Sequence, residues 1–189
     1  MENFLLQREL TISCSRTERG KHMQLGIRLH DIKKAPLEER LAIAKEQGFL
    51  CGHLALSKVI TEYPVDDGAL TPGYAMYLKK IFAKNDLDIA VLGCYLNLAN
   101  PDEGQLAKIT HRYLAHIRFA SLLGVGVVGT ETGAVNEAYK FEEKNHSDEA
   151  LDIFIQNVKP VISYAEKIDR KSTRLNSSHI EESRMPSSA

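Results

Sequence analysis

The sequence contains no tryptophan and only three cysteines among its 189 residues. Three cysteines do not make the disulfide framework of a small secreted domain, and they fit a reducing compartment. No segment approaches the ~18 apolar residues of a membrane helix, and the first residues lack the apolar core of a signal peptide. We therefore expect a cytoplasmic globular protein with no membrane partner, in which Cys51 and Cys94 are small buried hydrophobic residues.

An excess of charge of one sign is also missing, because 24 Lys and Arg accompany 25 Asp and Glu, for a formal net charge of −1. Proteins that bind nucleic acid usually carry a basic patch or stripe. The sequence gives no such signal, so we expect no nucleic-acid partner. A phosphate-binding P-loop, a CxxC pair and a zinc-type HExxH motif are absent as well, which removes several motif-based assignments.

Both ends of the chain lack the periodicity of folded elements. Residues 169–189 are rich in serine, and the string matches the translation of a common sequencing-library adapter. We expect an artefactual, disordered tail there and leave it out of the fold. Residues 1–22 have mixed charge and no clear period, so we expect a disordered translated leader before a natural start at Met23. The expected folded segment is therefore 23–168.

Within that segment, apolar runs typical of strands alternate with helical patterns. The pattern predicts strands over 25–29, 49–56, 88–94 and 125–129. Helices are expected to follow them, beginning near Pro36, Pro72, Pro101 and Ser147. Helical crossovers force the strands to be parallel. The class is α/β, a partial (βα)₄ segment of a TIM (β/α)₈ barrel, although a doubly wound sheet begins in the same way. A barrel is favoured because polar residues follow every strand, where a barrel forms its site.

Four of these polar residues are candidates for substrate binding. His30 follows the first strand, Tyr95 and Asn97 follow the third, and Glu131 lies in the Gly129–Gly133 stretch after the fourth. A carboxylate at a barrel mouth can bind metal, hold sugar hydroxyls or move a proton, and a loop-anchoring carboxylate fits the pattern equally. Tyr95 fits either a sugar-stacking or an ordinary packing residue. His30 likewise fits either a substrate contact or a structural histidine.

Other polar residues give weaker signals. Lys58, after the second strand, is interpreted as a solvated surface lysine in preference to a phosphate contact. His111 and His116 lie five positions apart on one helix, a spacing that does not place them on one face. We interpret both as surface or packing residues, and His146 has no partner visible in the sequence.

Three stretches together carry a family resemblance: MQLGIRLHD, then LALSK with ALTPG, and then AVLGCYLNLANPD with VVGTETG. They resemble bacterial sugar phosphate isomerases and epimerases of the xylose isomerase-like TIM barrel superfamily. The resemblance covers 23–168 and corresponds to about the N-terminal half of such a protein.

The resemblance implies an isomerase that acts on a small-molecule sugar or sugar phosphate by proton transfer through an enediolate. It also implies a divalent metal (Mn, Mg, Co or Zn) in the full-length parent, acting as Lewis acid. The family's ligands begin on the fifth strand, so the catalytic residues of this chain stay unknown and are expected beyond the truncation, and we expect no metal ligand and no metal in this chain. His30, Asn97 and Glu131 correspond to pocket-lining positions only. The fragment is therefore expected to be inactive as truncated.

Two alternatives remain open at this stage. The same superfamily contains endonuclease IV-like AP endonucleases, against which the absence of a basic stripe argues. A half-barrel could also be a non-catalytic binding module, because open strand edges invite pairing, and an oligomer is then possible.

Overall fold

The computed structural model describes residues 24–168, so the expected leader and tail lie outside the described residues. Four parallel strands form one sheet in the order β1-β2-β3-β4. A doubly wound sheet reverses its strand order at a switch point, whereas sequential order is that of a barrel wall. The predicted partial TIM barrel is thus confirmed. The strands are β1 (Gly26–Arg28), β2 (Cys51–Ala55), β3 (Asp88–Gly93) and β4 (Val128–Gly129).

Four of the five helices in the described residues begin close to the residues that the sequence indicates, whereas the short helix α2 (Leu56–Val59) is not predicted and begins at the last residue of the expected strand 49–56. Thr71 accepts a hydrogen bond from the Tyr74 amide and is followed by Pro72 at the first helical position. Ser147 accepts from the Ala150 amide in the same way. Such caps satisfy amides that have no partner within the helix. The helices are α1 (Leu37–Glu46), α2 (Leu56–Val59), α3 (Pro72–Lys84), α4 (Glu103–Leu123) and α5 (Asp148–Ile168), with 3₁₀ turns at Leu29–Asp31 and Glu143–His146. Within 24–168 no helix combines the length and apolar character needed to cross a bilayer.

Successive strand residues face opposite sides of the sheet, and the two sides differ in burial. Leu54 and Leu92 are register partners that are fully buried in the core formed with the outer helices. The neighbouring partners His53 and Val91 are only partly buried. We call the second side, which lies away from the helices, the open face. Register pairing places on it, among others, Arg28, His53, Val91, Gly93 and Gly129.

Two apolar clusters attach the helices to the sheet. The larger one joins the strands to α1, α3 and the C-terminal half of α4, and its members include Leu41, Leu78 and Phe119. The smaller one joins α4 to α5 around Tyr113 and Phe154. The apolar sides of the helices face these clusters, so the helices of the described residues cover one side of the sheet and do not cover the open face.

Arg40 on α1 is a buried cation that holds the turn between β1 and α1. Its side chain is 3% exposed and donates to the carbonyls of Ala35 at 2.8 Å and Leu29 at 3.0 Å.

The substitution Arg40→Met keeps the length of the side chain but leaves these carbonyls without a donor. We expect the free energy of unfolding to fall by about 2 kcal/mol, measured by urea denaturation. The exposed Arg118→Met is the control and should change stability by less than about 0.5 kcal/mol. Equal effects of the two substitutions would contradict this role.

His116 on α4 gives the fold a pH dependence. Its Nδ1 donates to the Arg112 carbonyl at 2.9 Å, and burial lowers the pKa of His116 to about 4 from 6.5. The unfolded chain takes up a proton near pH 6.5 and the folded chain does not, so this contribution is complete above pH 6.5 and decreases as the pH falls toward 4. The expected loss reaches about 3 kcal/mol.

Urea unfolding between pH 4 and 7.5 measures this contribution. In His116→Gln the free energy of unfolding should depend less on pH. The substitution His146→Gln, at an exposed position, is the control and should leave this pH dependence as it is in the unsubstituted protein. A slope unchanged in His116→Gln would show that other groups cause the acid sensitivity.

Candidate functional site

Three aromatic side chains make a continuous contact across the first three strands of the sheet. The rings of His30 and His53 meet edge to face at 5.4 Å between centroids, and those of His53 and Tyr95 at 5.5 Å. The Tyr95 hydroxyl and His53 Nε2 share a hydrogen bond of 3.0 Å. His30 Nδ1 is buried and has no hydrogen-bond partner among the described residues. The cluster therefore combines an internal hydrogen bond with one unused polar nitrogen.

Two glycines make room for this cluster. A Cβ on Gly93 would lie 2.5 Å from His53 Nε2, and one on Gly129 would lie 2.8 Å from the Tyr95 hydroxyl. Real Cβ atoms do not approach other atoms so closely, so any side chain at either position would displace the ring opposite it. Gly93 and Gly129 are register partners on adjacent strands. Their missing side chains thus create one continuous gap on the open face, and Tyr95 fills it.

The cluster is electrically neutral near pH 7. Burial lowers the pKa of His53, and the nearby His30, Arg28 and Lys58 lower it further. Burial also lowers the pKa of His30, although Asp31 partly opposes this effect. Burial and then the charge of Glu131 raise the pKa of Tyr95. Neutral imidazole and phenol groups exchange hydrogen bonds with uncharged hydroxyls without a large desolvation cost.

Cations border the cluster on two sides. Lys58 Nζ lies 5.2 Å from the centroid of the Tyr95 ring, within the range of a cation–π contact. Arg28 Nε donates to Asp31 Oδ2 at 2.7 Å, and this contact lowers the pKa of Asp31. Arg28 is therefore paired with a carboxylate, whereas Lys58 interacts with a π face.

Asn97 holds two loops together. Its Oδ1 accepts from the amides of Ala99 at 3.1 Å and Ala134 at 2.9 Å, and its Nδ2 donates to the Ala134 carbonyl at 2.7 Å and the Asn136 carbonyl at 3.5 Å. The side chain is 5% exposed. These contacts use all four hydrogen-bonding positions of the amide. The contact between Asn97 and a sugar remains a prediction, and the observed bonds favour an anchoring role.

Glu131 is exposed at the β4 end of the open face. Tyr139, eight residues later, donates a hydrogen bond from its hydroxyl to Glu131 Oε1. The preceding Thr130 contacts the Tyr113 hydroxyl at 2.7 Å, and this hydroxyl also donates to the Leu96 carbonyl at 3.0 Å. The loops after β3 and β4 are consequently joined beneath the site.

The fold brings the four candidate residues to the same end of the sheet. His30 and Tyr95 meet through His53, which the sequence analysis missed because it lies inside the β2 run. Because successive residues of a strand point to opposite sides of the sheet, His53 lies on the side opposite the buried Leu54. Lys58 contacts Tyr95 instead of being only solvated. His111 pairs with Asp67 at the surface and His116 is buried, as the sequence analysis predicts for surface or packing residues.

The metal implied by the resemblance does not fit the described side chains. Within 24–168, no three His, Cys, Asp or Glu residues converge into a group able to hold a metal ion. His30 and His53 contact each other edge to face.

The string Gly124–Gly129 (GVGVVG) matches the glycine spacing of dinucleotide-binding loops. Such a loop must follow a strand and begin a helix, so that the helix N-terminus faces the pyrophosphate. Here Gly124 ends α4 with a φ of 74°, and Gly129 ends β4. The string therefore begins before the strand and ends with it, so it does not form a loop between a strand and a helix and does not fit this function.

Comparisons with known proteins agree with this geometry. The family described as xylose isomerase-like TIM barrel matches residues 28–170. A search of curated proteins found no significant match.

Three solved structures with a similar fold are as follows. One is a D-psicose 3-epimerase from Clostridium cellulolyticum H10 with D-tagatose (16% identity, 77% of this chain and 50% of that chain, TM-score 0.56). Another is a protein from Sinorhizobium meliloti 1021 (18% identity, 77% and 47%, TM-score 0.56). The third is a xylose isomerase domain protein from Planctomyces limnophilus (11% identity, 78% and 51%, TM-score 0.53).

The chain spans about half the length of these solved structures. At such identities the likeness establishes the fold, whereas the family match covers most of the sequence. The sequential order of the strands is the order that the matched family model implies for a barrel wall. The chain belongs to the xylose isomerase-like TIM barrel family.

Proposed function

We propose that residues 24–168 form the substrate-binding wall of a sugar isomerase or epimerase. The observation that carries this proposal is the contact chain His30–His53–Tyr95 on the open face, at the carboxyl ends of the strands. TIM-barrel enzymes bind their substrates at that end. Family membership and a solved D-psicose 3-epimerase of similar fold support the assignment to sugars.

The residues of the wall have distinct binding roles in this proposal. The neutral His30 and His53 exchange hydrogen bonds with sugar hydroxyls. The Tyr95 ring packs against a sugar face. Glu131 accepts hydrogen bonds from hydroxyls on the β4 side. Lys58 stabilises the Tyr95 ring and is the available cation for a phosphorylated sugar.

The complete enzyme, in this proposal, moves a proton between adjacent sugar carbons through an enediolate, and a divalent metal supplies Lewis-acid chemistry. Residues 24–168 bind and orient the sugar but offer no group that holds a metal. Orientation alone supplies part of the catalytic effect in such reactions. We therefore expect no sugar epimerisation by this chain by itself. Turnover by the purified chain, with or without added Mn²⁺, would contradict the assignment of a binding role alone.

A titration with D-fructose tests the binding role. The histidine and tyrosine ring signals of the purified chain are followed by NMR as the ketose is added. We expect selective shifts of His30, His53 and Tyr95, with a dissociation constant of about 1 mM or weaker because a half-open site encloses little of the ligand. Shifts confined to the surface residues His111 and His146 would contradict the proposal.

A glycine substitution tests the gap that accommodates Tyr95. In Gly129→Ala the new Cβ would lie 2.8 Å from the Tyr95 hydroxyl, so we expect the hydroxyl to shift away from its position against His53. We expect ketose affinity to fall by at least about fivefold, since a polar contact in the wall is lost. Gly73→Ala on α3 is the matched control, because its nearest neighbour is 3.9 Å away, and it should bind as the unsubstituted protein does. Equal affinities for the two variants would exclude Tyr95 from the wall.

A further inference from the structure

The segment between β4 and α5, residues 130–147, is a long loop with an internal scaffold of its own. Asn136 accepts from the Lys140 amide at 2.9 Å and donates to the Lys140 carbonyl at 2.8 Å. Asn145 donates to the same carbonyl at 3.0 Å and accepts from the Val135 amide at 3.1 Å. The two asparagines thus close the loop around residues 135–145, and the regular structure of the loop is limited to the 3₁₀ turn at Glu143–His146.

The root of this loop is fixed to the candidate site. Asn97, which follows β3, binds both the amide and the carbonyl of Ala134. Gly133, with a φ of 86°, passes so close to Asn97 that a Cβ there would lie 2.2 Å from its Oδ1. The position of the loop relative to the end of β3, where Tyr95 lies, is therefore set by a buried contact.

The scaffold places Tyr139 over Glu131 at the cost of backbone strain. Tyr139 has a φ of 50°, in the left-handed region that aromatic residues avoid. Its amide donates to the Asn136 carbonyl at 3.2 Å, and its hydroxyl donates to Glu131 Oε1. Non-glycine residues keep such a conformation only where the surrounding contacts enforce it, and this occurs preferentially at functional sites.

We propose that Tyr139 is a positioning residue of the sugar site, which holds Glu131 by one carboxylate oxygen so that the other oxygen receives a hydroxyl of a neutral polyhydroxylated ligand. Among the described residues, Glu131 Oε2 accepts no hydrogen bond. Tyr139 acts through Glu131, and its partly exposed ring also forms the outer edge of the site on the β4 side. The inference rests on the proposed function, because it assigns a role within the same wall.

The first test compares two tyrosine-to-phenylalanine substitutions in the D-fructose titration. Tyr139→Phe removes the hydroxyl that holds Glu131, and we expect affinity to fall by about fivefold to tenfold. Tyr77→Phe is the matched control, since Tyr77 also donates to a glutamate, Glu38 at 3.3 Å, on the outer helices. It should leave the affinity unchanged. Asn136→Ala, which frees the loop but keeps both partners, should weaken binding in the same direction as Tyr139→Phe.

The second test needs no ligand. Burial and the hydrogen bond to Glu131 raise the pKa of Tyr139, so Glu131→Gln should lower it toward the ordinary value. The Cζ chemical shift of labelled tyrosines measures this ionisation, and Tyr77 serves as the internal reference. An unchanged pKa of Tyr139 in Glu131→Gln would overturn the contact on which the inference depends.

The outcomes separate the inference from the proposed function. If Tyr139→Phe binds D-fructose as tightly as the unsubstituted protein, and His53 and Tyr95 still shift, the positioning role is wrong and the binding wall stands. If the unsubstituted protein gives no shifts at these residues, both are wrong. Loss of affinity in Tyr139→Phe with normal affinity in Tyr77→Phe supports both.

Discussion

The absence of a side chain at Gly93 and Gly129 is the constraint on which the candidate site depends. These two residues are paired across β3 and β4, and a methyl group on either would occupy the space of His53 or Tyr95. Because of this gap, the Tyr95 side chain packs over Gly93 and Gly129, and its hydroxyl forms a hydrogen bond with His53. The open face thereby gains a polar cluster without an isolated buried charge, which would be costly.

The polar cluster would lack a defined boundary without the loops that follow the strands. Asn97 uses its whole amide to join the loop after β3 to the loop after β4, and Tyr113 joins them again from beneath through Leu96 and Thr130. Buried amide and hydroxyl groups that are fully hydrogen-bonded specify one arrangement, because each broken contact leaves a polar atom without a partner. Glu131 is consequently held at a fixed place beside the cluster.

The sequence predicts the four parallel strands and the four longer helices, because apolar periodicity and capping residues such as Thr71 are local signals. The strand bounds are shorter in the structure: Val128–Gly129 replaces the expected 125–129. Such bounds depend on which residues find a partner in the next strand, and a local pattern does not contain that information.

The site is less predictable from the sequence than the fold. His30, Tyr95 and Glu131 are recognisable because they follow strands, but His53 belongs to a strand and is distinguished only by its face. The use of Asn97 depends on a contact with Ala134, far along the chain, and the position of Tyr139 depends on a strained loop conformation. Contacts of this kind are tertiary, so residue type and spacing leave both a binding role and an anchoring role open for Asn97.

The central claim, that the open face is a sugar-binding wall, is tested most directly by a crystal structure of this chain soaked with D-psicose. The account predicts a sugar within hydrogen-bond distance of His30, His53 or Glu131, with the Tyr95 hydroxyl still on His53 Nε2. A sugar bound only on the outer helices, for example at the exposed ring of Tyr63, would contradict it, as would a Tyr95 side chain turned away from His53.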